Sequence, residues 1–428
     1  MFEKYDAYKD SGVEWLGQLP ESWDLLPNKH IFKLKKNLVG KRSKEYELLS
    51  LTLNGVIKRD MENPEGKFPA EFDTYQEVKS GDFIFCHFDV EETPRTVGLS
   101  KFDGMITGAY TVYQVNAEKF CPKFLYYFYL NLDTGKRLKP LYKGLRNTIG
   151  KDIFGEFKTF IPNYSEQVKI SNFLDQKATE IDQAIAIKEQ QIALLNERKQ
   201  IVIQKAVTQG LDPNVPMKDS GLNGVGNIPQ DWEIIKFKYL AKVRYGLGQP
   251  PRQLDNGLKI IRATNIERGK IVEKGMLYID PNDIPWDRNP TLNKDEIIVV
   301  RSGAYTGDSA IVTEEYAGCI AGYDMVATPF NCYPKFLSTV LLSHYVLYEQ
   351  IYLLRMRSAQ PHLNAEELNE LKIVVPPINQ QRLIANYIEK VESDIGEAIS
   401  LIKQQLEKLK EYKTTLINDA VTGKIKVA

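Results

Sequence analysis

Residues 165–206 read SEQVKISNFLDQKATEIDQAIAIKEQQIALLNERKQIVIQKA, a run of 42 residues without glycine or proline. Pro162 lies just before the run, and Gly210, Pro213 and Pro216 lie just after it. These are helix start and stop signals. Within the run Leu174, Ile181, Lys188, Leu195 and Val202 fall seven apart. Ala178, Ile185, Ile192, Lys199 and Ala206 follow each of them by four. A heptad stripe of this kind predicts a coiled-coil helix. At ~1.5 Å per residue it would be ~60 Å long, more than one small domain spans.

The same pattern returns near the end of the chain. Asn379 to Ala420 contains only Gly396 as a breaker, and its stripe is Ile388, Ile395, Ile402, Leu409 and Leu416, partnered by Glu392, Ile399, Leu406, Lys413 and Ala420. One offset, 214, relates the two helices without a gap. The residues expected in the coil seam are Leu174, Ile181, Ile185, Ile192, Leu195, Ile395, Ile399, Ile402, Leu406 and Leu409. Repetition extends beyond the helices. Lys9-Asp10-Ser11-Gly12 returns as Lys218-Asp219-Ser220-Gly221, and Gly17, Pro20 and Trp23 match Gly226, Pro229 and Trp232. Pro162 to Gln167 corresponds to Pro376 to Gln381, and Ala206-Val207-Thr208 to Ala420-Val421-Thr422. A repeat this long is a duplicated half-protein, because solenoid periods run ~20–50 residues. Two similar halves imitate a homodimer and imply a pseudo-two-fold axis. Helices related by such an axis across a coil run antiparallel and act as a spacer of fixed length.

The parts between these frames, roughly 24–160 and 233–375, read as mixed strand and helix. Strand-like runs are Tyr46 to Leu53, Asp82 to Phe88, Tyr110 to Val115, Leu258 to Asn265, Glu296 to Arg301 and Ser309 to Thr313, with turns between them. A shorter helix is expected after each Pro-Lys-Phe-Leu sequence, at Pro122 and Pro334. Gly108 and Gly322 also align. The offset drifts from 209 to 214, so insertions lie inside these parts. The expected class is α+β: two pseudo-symmetric mixed α/β domains separated by two long antiparallel coiled-coil helices.

Composition excludes several classes. At 428 residues, 43% hydrophobic and 26% charged, the chain has the profile of a globular protein of several domains. No apolar run approaches the ~20 residues that span a bilayer. The start, Met1-Phe2-Glu3-Lys4-Tyr5-Asp6, lacks the layout of a signal peptide, and a cytoplasmic location is expected. Cys86, Cys121, Cys319 and Cys332 show no CxxC spacing and read as buried or free thiols, with no metal site expected. Phosphate-loop and dinucleotide-binding patterns are absent: residues 144–152 have the wrong spacing, and Gly221 to Gly226 follows no strand. No Asn-Pro-Pro-Tyr or Asp-Pro-Pro-Tyr motif of an amino-group DNA methyltransferase occurs, and the four histidines are scattered. Catalysis is not expected of this chain alone.

Net charge is zero, with 56 basic and 56 acidic residues, which argues against indiscriminate binding to nucleic acid. Local basic clusters point to a directed contact. Lys136 to Arg146 carries five positive charges and no negative one, and Lys29, Lys33, Lys35, Lys36, Lys41, Arg42 and Lys44 form a second cluster. The second half offers Arg244, Arg252, Arg262, Arg301, Arg355 and Arg357. Arginine and lysine neutralise phosphates, while arginine, asparagine and glutamine read base edges through paired hydrogen bonds. The candidate DNA contacts are Lys36, Arg42, Arg95, Lys143, Arg146, Asn147, Arg244, Gln249, Arg252, Arg262, Arg301, Tyr305, Arg357, Gln360 and His362.

The motifs Gly17-Gln18-Leu19-Pro20-Glu21-Ser22-Trp23, Gly226-Asn227-Ile228-Pro229-Gln230-Asp231-Trp232, Ile161 to Gln167, Val375 to Gln381 and Ala420 to Ile425 come in a duplicated order. In that order the chain resembles the specificity (S) subunit of type I restriction–modification systems, over essentially its whole length. One departure is Gln380-Gln381 where the family often has Glu-Gln, which the first copy keeps as Glu166-Gln167. The resemblance implies a target-recognition domain at 1–160 with a frame segment at 9–24, a central helix at 161–215, a second target-recognition domain at 216–375 and a C-terminal helix at 376–428. It implies binding of double-stranded bipartite DNA, one half-site per domain. It also implies docking of two methyltransferase (M) subunits and, in a complete enzyme, two restriction (R) subunits. S-adenosylmethionine, ATP and magnesium would bind those partners, and no cofactor would bind this chain. Two other readings remain open on the residues alone: a specificity subunit of a type II or methyltransferase-only system, and a coiled-coil scaffold without DNA contact.

Overall fold

The computed structural model describes residues 2–13, 16–60, 71–143, 147–355 and 361–427. The chain divides into two compact units: residues 1–188 with 403–428, and residues 189–402. The first long helix, Tyr164–Gln209, starts in the first unit and ends in the second. The second long helix, Ile378–Val421, does the reverse. Each exceeds its expected range by one to three residues at either end.

In the first unit, a four-stranded antiparallel sheet has the order Phe32–Lys35, Thr111–Val115, Phe83–Phe85, Val97–Leu99. The helix Pro122–Thr134 begins at the expected proline, whose missing N–H costs nothing at a helix start. It packs Phe124, Leu125, Phe128, Tyr129 and Leu132 into a core with Phe83, Phe85 and Phe154. In the second unit the order recurs as Ala241–Tyr245, Met325–Pro329, Ile297–Val299, Ser309–Ile311, again antiparallel, followed by the helix Pro334–Leu341. The second unit also contains a four-stranded sheet built on Leu258–Ile261.

Several strands are shorter than their expected runs. Leu258–Ile261 stops before Asn265, because residues 263–265 turn into a short 3-10 helix closed by hydrogen bonds between the Arg262 backbone and Asn265. The run from Glu296 to Arg301 keeps only Ile297–Val299 as strand, since Glu296 and Arg301 serve side-chain contacts at its two ends.

The repeated glutamine explains the repeated motif. Gln167 is buried, donates to the Pro162 carbonyl at 2.8 Å and accepts from the Cys121 amide at 2.8 Å. Gln381 does the same with the Pro376 carbonyl and the Tyr333 amide, both at 2.8 Å. Each ties the start of a long helix to the residue before the Pro-led helix, satisfying backbone groups that helix termini leave open.

Within each unit the two helix segments run antiparallel. In the first unit, Trp23 Nε1 donates to Glu166 at the start of the first helix, and Gly423 at the end of the second lies against Pro20 and Trp23. A Cβ on Gly423 would fall 2.3 Å from Pro20 Cδ, and its φ of +71° disfavours any other residue. Farther along, Lys413 pairs with Asp182 at 2.7 Å. In the second unit, Trp232 meets Gln380 and Gly210 in the same way.

Of the expected seam, Leu174, Ile181 and Leu406 are buried. Ile185, Ile192, Leu195, Ile395, Ile399, Ile402 and Leu409 are half-buried. The four cysteines are buried and unpaired. Among the described residues no helix is long and apolar enough to cross a membrane.

Candidate nucleic-acid interface

Three strand ends of the second unit's sheet converge on Arg301. Its guanidinium carbon lies 4.7 Å from the Tyr245 ring centroid and 4.2 Å from that of Tyr323, close enough for attraction to both π faces. Both rings are exposed, and Tyr305 on the adjoining turn is 55% exposed. A strap from the far side of the sequence holds this turn. Leu363 N donates to the Arg301 carbonyl at 2.8 Å, Gly303 N to the Pro361 carbonyl at 3.2 Å, and Ser302 bridges His362. Arg301, Tyr305 and His362 therefore share one surface. Arg262 adjoins it through Gly322. The Gly322 amide donates to the Ile261 carbonyl at 2.8 Å, and a Cβ there would meet that oxygen at 2.7 Å.

Beneath the surface sits Asp324, 3% exposed. Burial pushes its carboxyl up to about 6, against the opposing pull of the Arg301 backbone amide and charge. The amide donates to Oδ1 at 3.2 Å, and Oδ2 has no hydrogen-bond partner among the described residues. Such a cluster offers a fixed cation and flat aromatic faces: groups suited to phosphates and base edges.

The first unit builds the same strap with different chemistry. Ile149 N donates to the His87 carbonyl at 2.7 Å, Asp89 N to the Asn147 carbonyl at 3.2 Å, and Phe88 bridges Thr148. His87 thus stands where Arg301 does. It is buried among Phe85, Tyr113 and Phe154, with both ring nitrogens unpartnered among the described residues. Burial first, and the Lys151 charge second, push it down to about 4, so it is neutral at pH 7. Exposed groups near this strap are Asn147, at φ +45°, and Lys143, whose backbone bridges Thr148.

The other candidates scatter. Arg146, Arg357 and Gln360 lie outside the described residues, as does the rest of 144–146. Arg244 is engaged inside the second unit: it grips Glu296 at 2.5 and 2.7 Å and also bonds Thr328. Arg95 is tied to the buried Asp133 at 3.2 Å. Arg252 pairs with Asp280 at 2.5 Å but stays open to solvent, and Gln249 is exposed on the loop after Tyr245. In the basic clusters, Lys35 is buried against Asp82, and Lys136 and Lys139 reach Asp133 and Glu91. Lys36 and Arg42 are exposed, with Lys33, Lys41 and Lys44 near them in sequence and also exposed. Tyr245, Tyr323 and Asp324 were not among the expected contacts. The signal for them was the aligned Gly108 and Gly322, since Tyr323 and Asp324 follow the latter directly.

The two units thus share one frame and carry unlike residues at one matched position. Comparisons with known proteins agree. Residues 229–411 match the family model described as type I restriction modification DNA specificity domain. A putative type I restriction enzyme MjaX specificity subunit of Methanocaldococcus jannaschii is 24% identical over 442 aligned residues, covering 100% of this chain and 98% of the relative. The MjaVIII specificity subunit from the same organism is 26% identical over 294 residues, 65% of this chain and 64% of its own. Among solved structures, a chain from a study of complex assembly and conformational transition of the type I R-M system superposes with a TM-score of 0.69. It is 13% identical and aligned over 95% of this chain and 99% of that one. The HsdS subunit of Thermoanaerobacter tengcongensis gives 0.56 at 14% identity, over 97% and 100%. Over its whole length the chain is similar to a type I restriction–modification specificity subunit, and its second half matches the model of that family's DNA specificity domain.

Proposed function

We propose that this chain reads double-stranded DNA with a two-part target, one half-site per unit. It docks two methyltransferase subunits on its long helices, with restriction subunits joining in a complete enzyme. Loops at the strand ends contact bases, and exposed basic groups orient the protein on the phosphates. Chemistry belongs to the partners, which bind S-adenosylmethionine, ATP and magnesium; this chain supplies recognition and no catalytic group.

The observation that carries this reading is the pair Arg301 and His87. Equivalent straps hold equivalent backbone, yet one position offers a cation between two exposed rings and the other a buried neutral imidazole. A constant frame with unlike contact groups supports two readers of different half-sites. Filter binding of the complex reconstituted with its methyltransferase should show a sequence preference among duplexes. Equal affinity for all duplexes would instead favour a protein-interaction scaffold.

A further inference from the structure

The two repeats differ at the tryptophan that ends each frame motif. In the first unit this site is filled by the chain's own start. The Tyr5 ring stands edge-on to Trp23 at 6.0 Å, and its hydroxyl donates to Glu166 Oε1 at 2.5 Å. The same oxygen accepts from Trp23 Nε1 at 3.2 Å. Phe2 covers Phe173 at 5.5 Å.

In the second unit the repeat offset of 209 puts Asn214 where Tyr5 would stand, and Asn214 is exposed. Its backbone N–H donates to Asp212 Oδ1 at 2.9 Å. A cavity of about 620 Å³ opens there, lined by Leu211, Val215, Trp232, Gln380, Leu383 and Ile384. Its volume falls within the ~300–1,000 Å³ of ordinary binding pockets. Leu383 is 61% exposed, and Tyr387, the counterpart of Phe173, is exposed too. Gln380 Oε1 accepts from Trp232 Nε1 at 2.8 Å, as Glu166 does from Trp23, and can accept a second hydrogen bond. Asp212 and Asp231 also line the cavity.

We infer that this cavity is a docking seat for a tyrosine flanked by a basic residue, presented by a segment of a partner protein. The aromatic ring would lie against Trp232 and Leu383 with its hydroxyl donating to Gln380. The basic neighbour would face Asp212 and Asp231. The filled site of the first unit is the template for the ring and its hydrogen bond, and the two carboxylates supply the charge complementarity. This is a protein seat, separate from the proposed DNA-facing groups around Arg301.

The test uses the full chain and a fluorescein-labelled peptide with its own Phe2–Gly12 sequence, which carries Lys4-Tyr5. Anisotropy should show saturable binding of one peptide per chain. Tyr5→Ala in the peptide should weaken binding tenfold or more, and Lys4→Glu severalfold. Leu383→Asp in the protein, at an exposed position that folding does not need, should abolish binding. No saturable binding, or binding that survives Leu383→Asp, overturns the proposal. So would concentration-dependent dimers lost in Leu383→Asp, because the occupant would then be a second copy of this chain.

Discussion

Replacing Asp324 with asparagine should flatten the pH dependence of stability. The carboxyl is buried, accepts from the Arg301 amide at 3.2 Å, and burial lifts it from 3.8 to about 6 against the pull of the Arg301 and Ala263 backbone amides. The sign follows from proton linkage. Below pH ~4 the group is protonated in both folded and unfolded chains and costs nothing. Between ~4 and ~6 the unfolded chain ionises first, so the stability present at low pH is lost as pH rises. Above ~6 the loss is complete, on the order of 3 kcal/mol for about two pH units. Asparagine removes this loss but leaves an amide N–H without an acceptor, at a cost of ~1 kcal/mol or more. Asp324→Asn should therefore be ~1–2 kcal/mol more stable than the parent at pH 8, or ~2–8 °C in Tm for a unit of this size. At pH 4 the advantage should vanish or reverse. Thermal melts of the full chain followed by circular dichroism from pH 4 to 8 check this. Parallel curves for the two proteins across that range would refute the burial argument.

Three further outcomes follow from the geometry. Gln381→Ala should cost about 2–5 kcal/mol in urea unfolding, since it strands the Pro376 carbonyl and the Tyr333 amide in a buried site. A loss under 1 kcal/mol would remove the glutamine from its joining role. Leu406→Asp should cost ~3 kcal/mol or more because it buries a charge. Ile192→Asp, at a half-buried position, should cost less; copurification with a methyltransferase should fail for both, and normal assembly would count against the seam. Arg301→Ala should weaken recognition of one half-site by ~1–3 kcal/mol, read by competition with duplexes mutated in either half. Equal loss at both half-sites would point to damaged assembly.

The long helices were legible in the sequence because a heptad stripe is a local, repeating signal. So was the frame, where Trp23, Gln167 and their counterparts recur in order. The DNA-facing surface was less so. Arg301 and His362 are brought together by a strap about 60 positions away in sequence, and Arg244 is claimed by Glu296 across 52 residues. A charge count cannot tell an arginine held in an internal pair from one held out between two rings. Tyr245 and Tyr323 carry no charge and match no motif, so nothing local in the sequence marks them as partners of Arg301. The Glu166 to Gln380 difference falls at the site where the repeats differ in occupancy.

Methylome sequencing of a host expressing this chain with its cognate methyltransferase tests the central claim most directly. The expected result is methylation at a motif of two short specified runs separated by unspecified bases. A continuous motif, or methylation without sequence preference, would contradict a two-part reader.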